Sequence, residues 1–239
     1  MVKWDTLWPG GLTFAFDDGP FKPSTDTFLL GGFAAPRPRD RVCDLGAGIG
    51  LLGLLLLGRQ PSIRVMDIDI DPAACALAEK NFAQNGLTGH AVLRADLRRR
   101  QELPPAGSFD MVVSNPPYFA AGSGAVAAGQ RGAARSEVTC TLAELCGAAS
   151  YLLRSGGQLC LVYRAARLAE LMALLRTYKL EPKELQTVQK TIDTPPRLVL
   201  LRCRKDGGTG LDIRPPLLLQ KGDGSESEAL GRCYFRDRE

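Results

Sequence analysis

Arg41-Val42-Cys43-Asp44-Leu45-Gly46-Ala47-Gly48-Ile49-Gly50 reads as a short apolar strand that runs straight into a glycine-rich turn. An apolar helix is predicted directly after it, over residues 50–59. A strand that is apolar without alternation is buried on both faces, as in parallel sheets. The same strand–helix alternation repeats outward from this stretch. Strands are predicted at 63–69, 90–95, 109–114 and 157–163, and helices at 72–85, 138–154 and 165–177. Asp71-Pro72 supplies a cap and a proline at the first helical position. Gly156-Gly157 reads as the stop of the helix over 138–154. The alternation predicts an α/β fold, a Rossmann-like doubly wound sheet of seven strands, mostly parallel. Two β-rich runs, 184–191 and 197–203, have no helix between them and are expected as an antiparallel hairpin at the C-terminal edge. Before Arg41, residues 24–33 read as a helix capped by Ser24 or Thr25, with Phe28, Leu29, Leu30 and Phe33 on its apolar side. Residues 1–23 read as an irregular arm or hairpin rich in aromatics. The expected organisation is one domain: an arm and helix over 1–34 packing on a main body over 35–239.

The bulk properties agree with a single large domain. The chain has 239 residues, and 45% hydrophobic content supports a substantial core. Thirty basic residues against 26 acidic ones leave a net charge of +4, a weak pointer to an anionic partner. The seven cysteines are scattered, with no Cys-x-x-Cys pair, so neither zinc nor redox chemistry is indicated and no metal is expected. Free thiols fit a reducing, cytoplasmic setting. No basic-then-apolar leader opens the chain. The longest apolar run, residues 49–57, is far below the roughly 20 residues of a membrane helix, so no membrane partner is expected. Nothing in the sequence fixes the oligomeric state.

The turn at 46–50 is the first candidate site. Glycines there let the backbone bend sharply and approach a ligand closely. The dinucleotide fingerprint G-x-G-x-x-G would need glycine at 51, where the chain has Leu51. The spacing Asp44-x-Gly46-x-Gly48-x-Gly50 instead points to S-adenosylmethionine, which carries no phosphate for Asp44 to repel. Asp69 lies 19 positions after Gly50, near the ~20-residue spacing of ribose-binding acids in such folds; Asp67 on the same strand is the alternative. Asp96, at the end of the third strand, is assigned to the adenine amino group, with Leu97 offering its backbone N–H.

The second candidate site is Asn115-Pro116-Pro117-Tyr118. The two prolines stop the apolar strand before them, because neither can donate to a ladder and the first restricts Asn115. The chain is thereby fixed where a strand opens at its carboxyl end, the edge at which open α/β sheets bind ligands. An aromatic amino nitrogen is a poor nucleophile because its lone pair is delocalised. The Asn115 side-chain oxygen and the Pro116 backbone oxygen can each accept one N–H. This draws the nitrogen towards tetrahedral geometry and aims its lone pair at the methyl donor. Tyr118 can stack on the base, and Phe119 extends that wall. The lone histidine, His90, reads as structural.

Together these motifs resemble class I methyltransferases acting on planar amino groups. Within them the chain is similar, over nearly its whole length, to the bacterial adenine-N6 methyltransferases that modify a valine tRNA beside its anticodon. Phe21-Lys22-Pro23-Ser24-Thr25-Asp26-Thr27-Phe28-Leu29-Leu30, Ala134-Arg135-Ser136-Glu137 and Pro215-Pro216-Leu217-Leu218-Leu219 carry the likeness. Ser136 departs from it, since many relatives have histidine there. The resemblance implies methylation of an adenine N6 in RNA, with Arg135 beside the substrate and tRNA as partner. Glutamine methyltransferases of release factors share the tetrapeptide but resemble chains with a helical domain ahead of it. Ribosomal-RNA guanine methyltransferases often carry a second, degenerate domain, and DNA adenine methyltransferases need a target-recognition region. A non-catalytic binding module would have no use for Asn-Pro-Pro-Tyr. Arg98-Arg99-Arg100, Arg131 and Arg135 are candidate RNA contacts, as are Lys179, Lys183, Lys190, Arg197, Arg202, Arg204 and Lys205.

Overall fold

Leu159, Leu161 and Tyr163 are buried in one apolar cluster and Cys160 and Val162 in another. Successive residues of one strand thus serve two cores, the consequence of the period-2 side-chain alternation in a sheet covered on both faces. The computed structural model describes residues 2–17, 22–116 and 140–238. In chain order the elements are β1 (Lys3–Thr6), β2 (Thr13–Phe16), α1 (Thr25–Ala34), β3 (Arg41–Leu45), α2 (Leu51–Arg59), β4 (Arg64–Asp69), α3 (Pro72–Gln84), β5 (His90–Arg94) and β6 (Phe109–Ser114). They continue with α4 (Leu142–Leu152), β7 (Leu153–Arg164), α5 (Leu168–Thr177), β8 (Leu180–Gln189), β9 (Leu198–Lys205), β10 (Asp212–Leu218) and α6 (Glu228–Cys233).

The main sheet has the order β10-β8-β9-β7-β6-β3-β4-β5. β5, β4, β3, β6 and β7 run parallel, and β9 is antiparallel to both β7 and β8. Chain order runs outward from β3 through β4 to β5, then returns to β6 on the other side of β3. That reversal opens a crevice at the carboxyl ends of β3 and β6, the place where such sheets bind ligands. Helices α1, α2 and α3 feed the first cluster, and α4 and α5 the second. The predicted doubly wound, mostly parallel fold is borne out. The strand count differs: the sheet has eight strands among the described residues, not seven. The extra strand, β10, pairs in parallel with β8 and displaces the expected hairpin from the edge. Pro215 and Pro216 hid it, because proline argues against a strand; they sit at a register irregularity on the outermost strand, where a missing N–H costs little.

A second correction concerns Gly156-Gly157. The helix ends earlier, at Leu152, and β7 begins at Leu153. The glycines fall in a register shift, where β6 pairs Phe109 with Leu153 and then Met111 with Gln158. Gly156 has φ +73° there, so the signal read as a helix stop marks a bulge in the strand. The N-terminal arm is a β1–β2 hairpin held by an amide of α3 and by the amide of the residue that caps its C-terminus. Buried Asn81 donates to the carbonyls of Ala15 and Ile49 and accepts from the Ala15 N–H, and Asn85 does the same for both backbone groups of Thr13. His90 stacks on Phe82 with ring centroids 4.1 Å apart, consistent with a structural part. Six of the seven cysteines are buried, and no described helix is long and apolar enough to cross a membrane.

Candidate cofactor and acceptor site

The turn after β3 is held from β4. The Gly46 and Ala47 N–H groups donate to the Ile68 carbonyl at 2.9 and 3.2 Å. The Gly48 N–H donates to Asp69 Oδ2 at 2.8 Å, and the other Asp69 oxygen accepts from the Asp71 N–H at 2.9 Å. Asp69, the expected ribose acid, therefore sits at the lip of the turn and keeps lone pairs beyond those two bonds. Burial pushes its carboxyl up, partly offset by these backbone donors. An added Cβ at Gly46 or Gly48 would meet no atom of the described residues within 4 Å, so among them the turn borders open space. At Gly50 the reverse holds: a Cβ would lie 2.6 Å from Asp67 Oδ2 and 2.9 Å from Phe82.

Two carboxyls lie beneath this turn. Asp44 and Asp67 face each other as register partners on β3 and β4. Each is 1% exposed, and their oxygens have no hydrogen-bond partner among the described residues. Burial and then mutual repulsion push the Asp44 carboxyl well up; burial, with Asp69 adding to it, does the same for Asp67. Asp67 is thus a buried support under Gly50 and Gly53, while Asp69 stands at the open edge of the turn, bonded to the Gly48 N–H. The Asp69 carboxyl at the lip of an open turn disfavours a phosphate and suits a cationic ligand, which is what S-adenosylmethionine presents.

Asp67 carries a prediction. Its folded-state pKa lies above the usual carboxylate value of about 4, so the folded protein holds that proton more tightly than the unfolded chain. Stability from this group is full below pH ~4 and falls as pH rises towards the folded pKa. Asp67→Asn removes that fall and places an amide donor beside Asp44. We expect the ligand-free variant to be more stable at pH 8 by about 1–3 kcal/mol, the cost of an unpaired buried polar group, with the gain shrinking towards pH 5. Melting curves of the two proteins that stay parallel from pH 5 to 8 would refute this.

Asp96 ends the strand region after β5 and borders a cavity of about 420 Å³ lined by Ile70, Arg94, Ala95, Asp96, Arg98, Arg99 and Glu102. Leu97 packs against the second cluster. Arg98 folds back on Asp96, with Nε 2.9 Å from Oδ1 and Nη2 2.7 Å from Oδ2, and holds the carboxyl below its usual range. Each member of the arginine triplet has a partner within the protein: Arg98 bonds Asp96, Arg99 pairs with Glu102 at 3.0 Å, and Arg100 lies over the Tyr151 ring. In the C-terminal third, Arg202 binds Glu184 and the carbonyls of Phe33 and Ala34. Lys205 donates to Ser150 and Leu153, and Lys183 to Gly208 and Thr209. These cations hold the fold together, which leaves Lys179, Lys190, Arg197 and Arg204 as candidates for RNA.

The acceptor motif stands directly beside the turn. Buried Ser114, the last residue of β6, donates its hydroxyl to the Leu45 carbonyl at 2.7 Å, tying the end of β6 to the end of β3. Asn115 follows, half-buried, and Pro116 is buried. The Asn115 amide donates from Nδ2 to Thr27 Oγ1 at 2.9 Å and more distantly, at 3.4 Å, to Ser24 Oγ. Sequence reasoning gave no role to Ser114 or Thr27, and read Arg98 as an RNA contact rather than as the partner of Asp96. A hydroxyl closing an apolar strand was the signal for the first, and the Asp-x-Arg spacing for the last. Pro117, Tyr118, Phe119, Arg131, Arg135 and Ser136 lie outside the described residues.

A family model described as methyltransferase small domain matches residues 24–183, a span holding the turn, the acids and the Asn-Pro-Pro-Tyr motif. The chain belongs to the methyltransferase small domain family. This methyltransferase is 34% identical over 198 residues to a tRNA1(Val) (adenine(37)-N6)-methyltransferase of Porphyromonas gingivalis, covering 80% of this chain and 77% of the relative. A protein of the same name from Dickeya chrysanthemi is 30% identical over 240 residues, covering 95% of this chain and 94% of the relative. Among solved structures, a predicted O-methyltransferase from Agrobacterium tumefaciens superposes with a TM-score of 0.72 at 22% identity, covering 87% of this methyltransferase and 95% of that chain; that likeness is one of fold. The methyl donor of this methyltransferase is S-adenosylmethionine.

Proposed function

We propose that this chain transfers the methyl group of S-adenosylmethionine to the exocyclic N6 of an adenine beside the anticodon of a valine tRNA. The observation that carries the reading is the Ser114–Leu45 hydrogen bond, which brings the Asn-Pro pair against the glycine turn. The relatives named for adenine-37 methylation of tRNA1(Val) support the choice of acceptor. Bound S-adenosylmethionine supplies an electrophilic methyl on a sulfonium. Asp69 would take the ribose hydroxyls, Asp96 and the Leu97 N–H would take the adenine of the cofactor, and Asp44 would lie beneath the turn that holds it. Asn115 Oδ1 and the Pro116 carbonyl accept the two N–H groups of the target adenine. They hold its nitrogen in line and stabilise the positive charge that develops there. Tyr118 stacks on the base, Phe119 extends the wall, and Arg135 meets the substrate backbone. A base that enters such a crevice must leave its stack, which costs least in a loop. The buried free thiols fit an enzyme that works on tRNA in a reducing cytoplasm.

The test is methylation of unmodified tRNA with labelled S-adenosylmethionine, followed by nucleoside analysis. Label is expected in N6-methyladenosine from the anticodon loop of valine tRNA. Label confined to protein glutamine, or to ribosomal RNA, would overturn the assignment. Binding to tRNA is expected to weaken steeply with salt, with a log–log slope that reports several phosphate contacts. Charge reversal at Lys190 and Arg197 is expected to reduce that slope without changing cofactor affinity. A slope unchanged by the double variant would remove these residues from the interface.

A further inference from the structure

A carboxamide has two ends of nearly equal shape and opposite hydrogen-bonding sense. At the acceptor site only one orientation works, because the two N–H groups of an amino-bearing base need acceptors. If Nδ2 of Asn115 were turned to the base, donors would face donors and the base would be pushed away. The function proposed above for Asn115 therefore requires something to hold the amide the right way round. This inference rests on that reading.

We propose that Thr27 is that device: a positioning residue whose hydroxyl anchors Nδ2 of Asn115 and so presents Oδ1 to the acceptor nitrogen. Thr27 Oγ1 lies 2.9 Å from Asn115 Nδ2. Ser24 Oγ lies 3.1 Å from Thr27 Oγ1 and 3.4 Å from the same Nδ2. The Thr27 hydroxyl can donate to Ser24 Oγ, which leaves its lone pairs to receive the amide proton. Ser24 is the N-cap of α1 and accepts from the Thr27 N–H, so both hydroxyls belong to one rigid first turn rather than to a loop. That turn is fixed in turn by packing. Leu29, Leu30, Phe33 and Ala34 of α1 are buried, Phe28 stacks on Tyr234 with centroids 4.1 Å apart, and the Tyr234 hydroxyl meets Thr25 Oγ1 at 3.1 Å. The arrangement crosses 88 positions of sequence to place one acceptor at one amide. A helix hydroxyl could equally have bonded a carbonyl of its own preceding turn; here it is spent on the acceptor residue. The first turn of α1 thus extends the site beyond the strand ends.

The experiment measures Thr27→Val, Thr27→Ser and Asn115→Ala side by side. Valine keeps the branched shape but neither donates nor accepts, so the amide loses its bias. We expect kcat to fall about 10-fold, the worth of one net hydrogen bond, with KM for S-adenosylmethionine and for tRNA within about twofold of wild type. Serine restores the oxygen and is expected to recover most of kcat. In the spectrum of ¹⁵N-labelled protein the Asn115 side-chain amide pair should shift in the valine variant and return in the serine variant. Asn115→Ala separates the two claims. If it retains near-wild-type activity, the reading of Asn115 itself fails. If it is inactive while Thr27→Val keeps full kcat, the orienting role of Thr27 fails alone. Equal losses in the valine and serine variants, or a loss confined to KM, would also overturn it.

Discussion

Asn115→Ala is expected to lower the methyl-transfer rate by about 10²–10³-fold, the penalty for removing one preorganised hydrogen-bonding group from a dry catalytic site. The geometry makes this a clean substitution. Asn115 follows the last residue of β6, so its side chain contributes nothing to the ladder, and the Ser114–Leu45 bond that closes the crevice stays in place. Among the described residues its amide bonds the Thr27 and Ser24 hydroxyls, which the alanine variant leaves to water and to each other. The glycine turn, Asp69 and Asp96 are untouched. Cofactor affinity measured by calorimetry should therefore stay within a few-fold of wild type while single-turnover rates collapse. The Pro116 carbonyl remains, which is why a residual rate is expected rather than none. Activity within a few-fold of wild type would remove Asn115 from the chemistry.

Gly46→Val should do the opposite: abolish cofactor binding by at least about 100-fold, since a branched side chain occupies space the ligand needs, and leave the chain folded. Gly46 has φ +74°, which an L-residue adopts at a cost of roughly 1–2 kcal/mol. A Cβ there has no atom of the described residues within 4 Å. The strain is bearable and the obstruction falls on the ligand. Gly50 supplies the contrast. It has a similar φ of +75°, but a Cβ there would press on Asp67 and Phe82, inside the core, so Gly50→Ala should lower the melting temperature more than Gly46→Val does. A Gly46→Val protein that binds S-adenosylmethionine with undiminished affinity would show that the turn is not the cofactor loop.

The parts of this molecule that are legible in sequence are those where one residue type solves a local problem. The apolar strands at 41–45 and 109–114 announce burial on both faces. Gly46, Gly48 and Gly50 announce a backbone with positive φ, and all three have it. Ser24 and Asp71 announce helix starts and cap them. What stayed hidden depends on partners far along the chain. Pro215 and Pro216 argue against a strand unless β8 is known to need an outer neighbour. Gly156 signals a positive φ equally well at a helix end and in a bulge. Arg202 reads as a surface cation until the carbonyls of Phe33 and Ala34 are placed beside it. The fold followed from local periodicity, whereas which cations are committed within the protein required three-dimensional neighbours. Asp67 and Asp69 show the same divide: two acids on one strand face, separated only by depth beneath the turn.

The stacking of Phe28 on Tyr234, with the Tyr234 hydroxyl bonded to Thr25 across 209 positions, sets an order of events during synthesis. The helix that faces Asn115 is made early, yet the aromatic that seats it is made 209 positions later. At about 5–20 residues per second the interval is roughly 10–40 s. Over its last roughly 6–24 s, while the 119 residues that follow Asn115 up to Tyr234 are added, the nascent chain has its glycine turn and its Asn-Pro pair but no settled first turn of α1 to set against them. A ribosome-bound intermediate is expected to bind cofactor before it can methylate, and competence to act on tRNA to arrive as the last structural event rather than the first.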